Sequence, residues 1–291
     1  MTENNDIQTE RKKKFSKKII GELRAIWALC EKRWRIEMRY PMSLLYFSFA
    51  PILWMLPQLI YGSALIGGRF SEELRQITGT SDVWVFSSLG LVFNVFVGVT
   101  IWGTAYAIRR EEFTGTFEIL YIAPISRISM IFGNSLKSLM QNGIGLLIQM
   151  AIIIYWYWGL FKFTDLLIAL LFLGISILLI QGLAMILSGF VLWQKQGYRA
   201  VIFIENVITI ITPVTYPILT LPKYLQYLAF GNPLTYGIDG FRNAIMFGTD
   251  KMTFIYLGIL VGLSIITIFI GSKAFGAMEK RLRQKGTIGQ Y

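Results

Sequence analysis

The sequence predicts an all-α integral membrane fold, and three observations predict it. Apolar residues make up 54% of the 291 positions, while only 15% are charged. The apolar residues fall in long blocks rather than on amphipathic stripes, and about 20 of them in a row span the hydrocarbon core as a helix. Lys and Arg collect at the ends of these blocks, the placement that the positive-inside rule describes. A soluble chain of this length has no interior large enough to hide that much apolar surface.

Residues 1–20 form a basic cytoplasmic tail with Arg11, Lys12, Lys13, Lys14, Lys17 and Lys18 in one run. Such a run suits either a disordered tail that helps set topology or a contact with anionic headgroups. Over 21–41, Leu23, Ile26, Trp27, Cys30 and Trp34 recur at helical spacing among Arg24, Glu31, Lys32, Arg35 and Arg39. This predicts an amphipathic helix in the membrane interface, tryptophans toward lipid and cations toward water. Pro41 marks the turn into the membrane. The first apolar block follows about 40 polar and basic residues, too far in for a secretory signal, so no cleavage is expected.

The transmembrane domain is expected over 42–275, with six spans at about 43–66, 83–107, 133–158, 166–193, 200–220 and 253–275. Tyr155, Trp156, Tyr157 and Trp158 read as an aromatic belt at one span end. Pro51 and Pro57 fall inside the first span and predict a kink. Of the 28 Lys and Arg residues, 22 lie on the side shared by the two termini, which places both termini in the cytoplasm of a multi-pass cell-membrane protein. A basic tail closes the chain over 276–291.

The stretch 222–250 is apolar but broken by Gly231, Asn232 and Pro233, with Asp239 and Arg242 beyond. As a seventh span it would carry Lys280, Arg281, Arg283 and Lys285 outside, against the charge rule. Two short helices re-entering the outer leaflet fit better, packed on the other helices so that irregular backbone is shielded from lipid.

Composition removes several chemistries. The single cysteine, Cys30, excludes an intrachain disulfide framework, and the lack of histidine excludes His-based triads and zinc sites. No phosphate-binding glycine loop, nucleophile elbow or paired-His metal motif is present, so energy from nucleotide has to come from another chain. The net charge of +11 sits at the ends of membrane blocks, which argues against nucleic acid as the partner.

The most informative segment is the loop 109–127, from Arg109 and Arg110 through Glu111, Glu112, Gly115, Thr116 and Glu118 to Pro124, Ser126 and Arg127. It reads as a short amphipathic helix ended by Pro124, suited to docking on a soluble partner or equally to an ordinary charged connector. The pattern Glu112-x-x-Gly115-Thr116-x-Glu118 followed by Pro124-x-Ser126-Arg127 resembles the cytoplasmic signature of type-2 ATP-binding-cassette exporter permeases. A second stretch, Leu221-Pro222 leading to Asn232-Pro233-Leu234-Thr235-Tyr236 and Asp239-x-x-Arg242, resembles that family's outer re-entrant segment.

The resemblance implies a role for each part. Glu112, Gly115, Thr116, Glu118, Pro124 and Arg127 would couple the permease to a cytoplasmic ATPase subunit, with the 21–41 helix contributing to the contact and flanking a lateral substrate path. Two permeases and two ATPases would form the working unit, the second permease being a copy or a paralogue. ATP and magnesium would bind the partner, this chain being no enzyme and holding no cofactor or metal. Spans two and five would line the pathway, and Asn232, Pro233, Tyr236 and Arg242 would gate it from outside.

Polar residues inside spans add candidates. Glu205 is an intramembrane acid, which reads as a transport residue or as half of a salt bridge to Arg199, Lys137 or Arg109. Asn94, Gln141, Asn142, Gln149, Gln181 and Asn206 suit interhelical hydrogen bonds, with Asn94 and Asn206 also candidates for the pathway. Gly258 and Gly262 permit close helix packing. The expected function is export of an amphipathic, drug-like or lipid-linked substrate. The alternative is a secondary transporter or channel without ATP, which predicts inverted repeats and paired intramembrane charges.

Overall fold

The computed structural model of the protein describes residues 2–123, 125–156, 162–193, 197–248 and 250–284. Helix α1 (Thr2–Glu37) runs through the basic stretch expected to be a tail. Nothing from Thr2 to Ile20 is Gly or Pro, and most of its charged residues are good helix formers, so no local breaker stops it. Pro41 then opens α2 (Pro41–Ile66), where a missing amide costs nothing, and the helix continues through Pro51 and Pro57. After α3 (Glu72–Thr78), Asp82 starts α4 (Val83–Ala105) by accepting from the amides of Trp84 and Val85 while pairing with Arg69 at 2.7 Å.

The chain continues through α5 (Ala107–Phe113), α6 (Phe117–Ile122), α7 (Arg127–Trp156) and α8 (Phe163–Trp193). It ends with α9 (Gly197–Ile211), α10 (Lys223–Gly231), α11 (Pro233–Met246) and α12 (Lys251–Gln284). Among the described residues the only β-pairing is one isolated bridge between Phe70 and Asp82.

Among the described residues five helices, α2, α4, α7, α8 and α12, are long and apolar enough to cross a membrane. The span expected over 200–220 is instead the 15-residue α9. At 1.5 Å per residue it is about 22 Å long, short of a hydrocarbon core about 30 Å thick. The helix ends at Ile211, because Thr212 precedes Pro213, a position that disfavours helical backbone, and Pro213 has no amide to donate.

The core is built mainly by α4, α8 and α11, with Leu89, Phe93, Ile101, Phe172, Ile180 and Phe241 almost fully buried. The most extensive helix pairing is α8 with α12. There a Cβ on Gly271 would run into the carbonyl of Gly182, so the two glycines permit the close approach. Gly258 and Gly262, the pair picked from sequence, face open space.

The two ends of α4 organise everything else. Near its start, the Phe86 carbonyl receives Arg242 from α11; past its end lie α5 and the loop that follows. A 23-residue helix is about 35 Å long, so these are opposite ends of the molecule. At the second end α1 packs along α7, and Gly133 lets the Leu29 side chain and Ile26 carbonyl come close. The inward stripe of α1 is Glu22, Leu29, Cys30, Arg33 and Glu37. Cys30 is buried against Met140, while Leu23 and Trp27, earlier on the same helical stripe, are exposed.

Candidate functional site

The loop between α4 and α7 hangs from one buried carboxylate. Ala107, Ile108 and Glu111 form the inward face of α5, so Glu111 enters the interior with its side chain 1% exposed. It accepts from Lys32 Nζ at 3.1 Å and from Arg33 Nη2 at 2.6 Å, both on α1. It also accepts from the Thr116 hydroxyl, which closes the loop back on α5. Burial alone pushes the Glu111 carboxyl up; the Thr116 hydrogen bond, the Arg33 charge and the hydrogen bonds from Arg33 and Lys32 outweigh it and hold the group below its ordinary range.

Between these anchors the chain turns at Gly115, whose φ is +67°. A Cβ built there would meet nothing, so glycine serves the left-handed backbone and not a close approach. Thr114 and Thr116 hydroxyls lie 2.9 Å apart across the turn. Phe117 then returns to the interior beside Leu29, Ile108, Met130 and Phe275. With both sides of the turn anchored, the rest of the loop is pushed outward. Phe113, Ile119 and Ile122 are 78%, 72% and 85% exposed, and Glu118 is exposed among them.

Other expected loop residues are spread over this surface. Glu112 pairs with Arg109 at 2.8 Å on the same helix, and Arg109 lies over the Phe113 ring. Arg127 reaches Glu279 of α12 at 3.4 Å, while Ser129 donates to Glu22 of α1 at 2.5 Å. These contacts bring α1, the loop and the end of α12 to one face of the molecule. Pro124 lies outside the described residues. Sequence reasoning singled out Glu112 and missed Glu111; the signal was there in Ala107 and Ile108, four and three residues before Glu111 on one helical face.

At the opposite end, Asn232 joins α10 to α11. Its side chain accepts from Leu234 N and donates to Thr212 Oγ1 at 2.8 Å, fixing the hairpin to the broken end of α9. Pro233 takes the first helical position, and Tyr236 donates to the Phe230 carbonyl at 2.9 Å. Arg242 is buried and donates to the carbonyls of Phe86 (3.2 Å), Pro213 (2.6 Å) and Val214, over the Phe86 ring. Gly90 leaves the room for this, since a Cβ there would strike both Val214 and Arg242.

Glu205 of α9 meets neither Arg199, Lys137 nor Arg109. Lys137 is spent on Glu37 at 2.9 Å and Arg109 on Glu112. Its partner is the Trp102 indole, which donates to it at 2.6 Å beside Gly98 on α4. Trp102 in turn stacks on Tyr106 and packs on Tyr198. Asn94 lies two turns before Trp102 on the same half-buried stripe of α4, and Asn206 is exposed next to Glu205. Of the other expected hydrogen-bonders, Gln141 donates to Glu37 and Gln181 accepts from Thr104 and Ser135, whereas Asn142 bonds within its own helix.

A multi-helix membrane body thus carries an exposed apolar loop at one end and a proline-started hairpin at the other. The ABC-2 type transporter family profile matches residues 24–246, which covers both features. The chain is also similar to the "Putative transport permease ycf38" of Cyanophora paradoxa, 25% identical over 249 residues and covering 82% of each chain. With the family match spanning most of its length, the chain belongs to the ABC-2 type transporter family and is a multi-pass membrane transport permease.

Proposed function

We propose that this permease is the transmembrane part of an ATP-driven exporter that moves an amphipathic, drug-like or lipid-linked substrate out through the cytoplasmic membrane. Permeases of this family normally pair with an ATP-binding subunit. The observation that carries the reading is the surface of the 109–127 loop. Phe113, Ile119 and Ile122 are exposed around Glu118, on a loop locked from behind by Glu111. A flexible connector has no reason to hold apolar side chains in water on a rigid base, whereas a docking element does.

In this reading the loop seats in a cytoplasmic ATPase, two permeases and two ATPases assemble, and ATP with magnesium is bound by the partner. Both termini are cytoplasmic. α9 with the irregular 212–220 segment makes the sixth crossing, and α10–α11 is the re-entrant outer cap held through Asn232, Pro233, Tyr236 and Arg242. α4 and α9 border the pathway near Asn94, Glu205 and Asn206. ATP-driven closure of the partner pulls the loop, and the permease exchanges between inward- and outward-facing states whose balance the nucleotide biases.

The test is Glu118→Lys in the permease co-expressed with its ATPase. Copurification and transport-coupled ATP hydrolysis are expected to drop at least about tenfold, the cost of placing a like or unmatched charge at a docking surface. Unchanged docking and transport would remove the coupling role from this loop.

A further inference from the structure

A cavity of about 470 Å³ opens where α1, α2, α4, α5 and α7 meet, close to the loop but separate from its docking face. Its wall holds three cations, Arg33, Arg110 and Lys137, against one carboxylate, Glu37. The acid is fully occupied: it accepts from Lys137 at 2.9 Å, from Gln141 at 2.6 Å and from Ser43 at 2.5 Å. Arg33 is spent on Glu111. Arg110 is left. Its guanidinium lines the cavity, donates no side-chain hydrogen bond and joins no ion pair among the described residues. Burial and the nearby Arg33 charge both disfavour its cationic form, with Glu37 and Glu111 attracting it only at longer range.

The lining also includes the apolar Ile36, Phe47, Val99 and Trp102, together with Ser138, Gln141 and Asn142. A half-buried guanidinium without a partner is costly, and an anion brought to it in a low-dielectric site is held several times more strongly than in water. The planar fork of Arg suits the oxygens of a phosphate, and Lys137 adds a point charge across the same space. The apolar part of the lining accommodates the carbon part of the molecule that carries the phosphate.

We propose that this cavity is a binding site for an anionic phosphate group, with Arg110 as its principal ligand and Lys137 and Arg33 contributing charge. The phosphate group belongs either to a lipid headgroup entering beside the amphipathic helix α1 or to a free phosphate from solution. The site shares Arg110 and Arg33 with the buried base of the 109–127 loop but none of the exposed Phe113, Glu118, Ile119 and Ile122, so its failure leaves the docking reading untouched.

The experiment uses the full chain in dodecyl maltoside micelles, which carry no phosphate. One arm is titrated with vesicles containing phosphatidylglycerol and the other with inorganic phosphate. Bound adducts are counted by native mass spectrometry and melting temperature is followed in parallel. Saturable binding is expected in at least one arm, weakened about tenfold by Arg110→Gln and largely restored by Arg110→Lys. Val99→Trp fills the cavity without removing a charge and is expected to weaken binding likewise, which keeps the test decisive if Arg110→Gln does not fold. Arg75→Gln, at the far end of the molecule, is the matched loss of an exposed cation and is expected to change nothing. Binding in the vesicle arm alone assigns the site to a lipid headgroup; binding in the phosphate arm assigns it to free phosphate. Equal binding by the wild type and Val99→Trp, with Arg110→Gln equal as well wherever it folds, or no saturable binding in either arm, overturns the proposal.

Discussion

Glu111 shows how one residue can organise a site that its neighbours display. Its carboxylate is buried and satisfied by Lys32, Arg33 and Thr116 together. Glu111→Gln removes the charge and leaves Arg33 half-paired, for which a loss of about 3 kcal/mol is typical of a buried pair broken on one side. Because Lys32 is one-third exposed, its share is screened and small. The folded group releases its proton more readily than its ordinary value of 4.5, so ionisation favours the folded loop. This contribution is fully present above about pH 4.5 and disappears as the pH falls through the lower folded value. Melting curves of the wild type and Glu111→Gln are therefore expected to differ near neutrality and converge in acid. The paired glutamates 111 and 112 are alike in composition, and only the phase of α5 assigns one to the interior and one to the surface.

At the scale of elements, two backbone features hold the ends of the molecule in place. The left-handed turn at Gly115 aims α6 outward, and Gly115→Val costs about 1–2 kcal/mol from the strained φ alone. The expected result is an intact, folded permease with weakened stimulation of the ATP-binding subunit proposed to dock there, read as ATP hydrolysis in proteoliposomes, with Gly115→Asn milder than Gly115→Val. At the other end, Arg242 ties α11 to α4 and to the break after α9. Arg242→Gln leaves buried carbonyls short of donors, at a cost of about 1–3 kcal/mol for each one left unsatisfied. A lower melting temperature is expected, and Arg242→Lys does not restore it, since one ammonium has no planar fork to reach three carbonyls. The hairpin itself was legible as Gly231-Asn232-Pro233, a local breaker. The clamp was not, because Phe86, Pro213 and Arg242 are far apart in sequence.

For the whole molecule, the decisive quantity is sidedness. α1, the loop and the end of α12 gather on one face through Ser129–Glu22 and Arg127–Glu279, and the hairpin with α3 gathers on the other. If the first face is cytoplasmic, a membrane-impermeant thiol reagent applied to intact cells labels Thr80→Cys and leaves Lys280→Cys untouched, in a Cys30→Ser background. The opposite labelling would reverse the orientation and with it the access of the ATPase to the loop. Five long helices were legible from hydropathy because a bilayer demands continuous apolar length. The sixth was read as continuous too, and Pro213 shortened it, since an apolar block reports solvent preference and not whether its backbone hydrogen bonds run unbroken.

By itself, the sequence determined the membrane class, the long apolar helices, the charge asymmetry and the positions of the loop and the hairpin. Each of these depends on the composition or spacing of neighbouring residues. The tertiary structure alone decided that Glu111 is the buried anchor, that Glu205 takes an indole and no cation, that Cys30 faces inward and that Gly182 meets Gly271. These pairings cross about 80 to 110 positions of chain, and which partner a buried polar group finds depends on how whole helices pack.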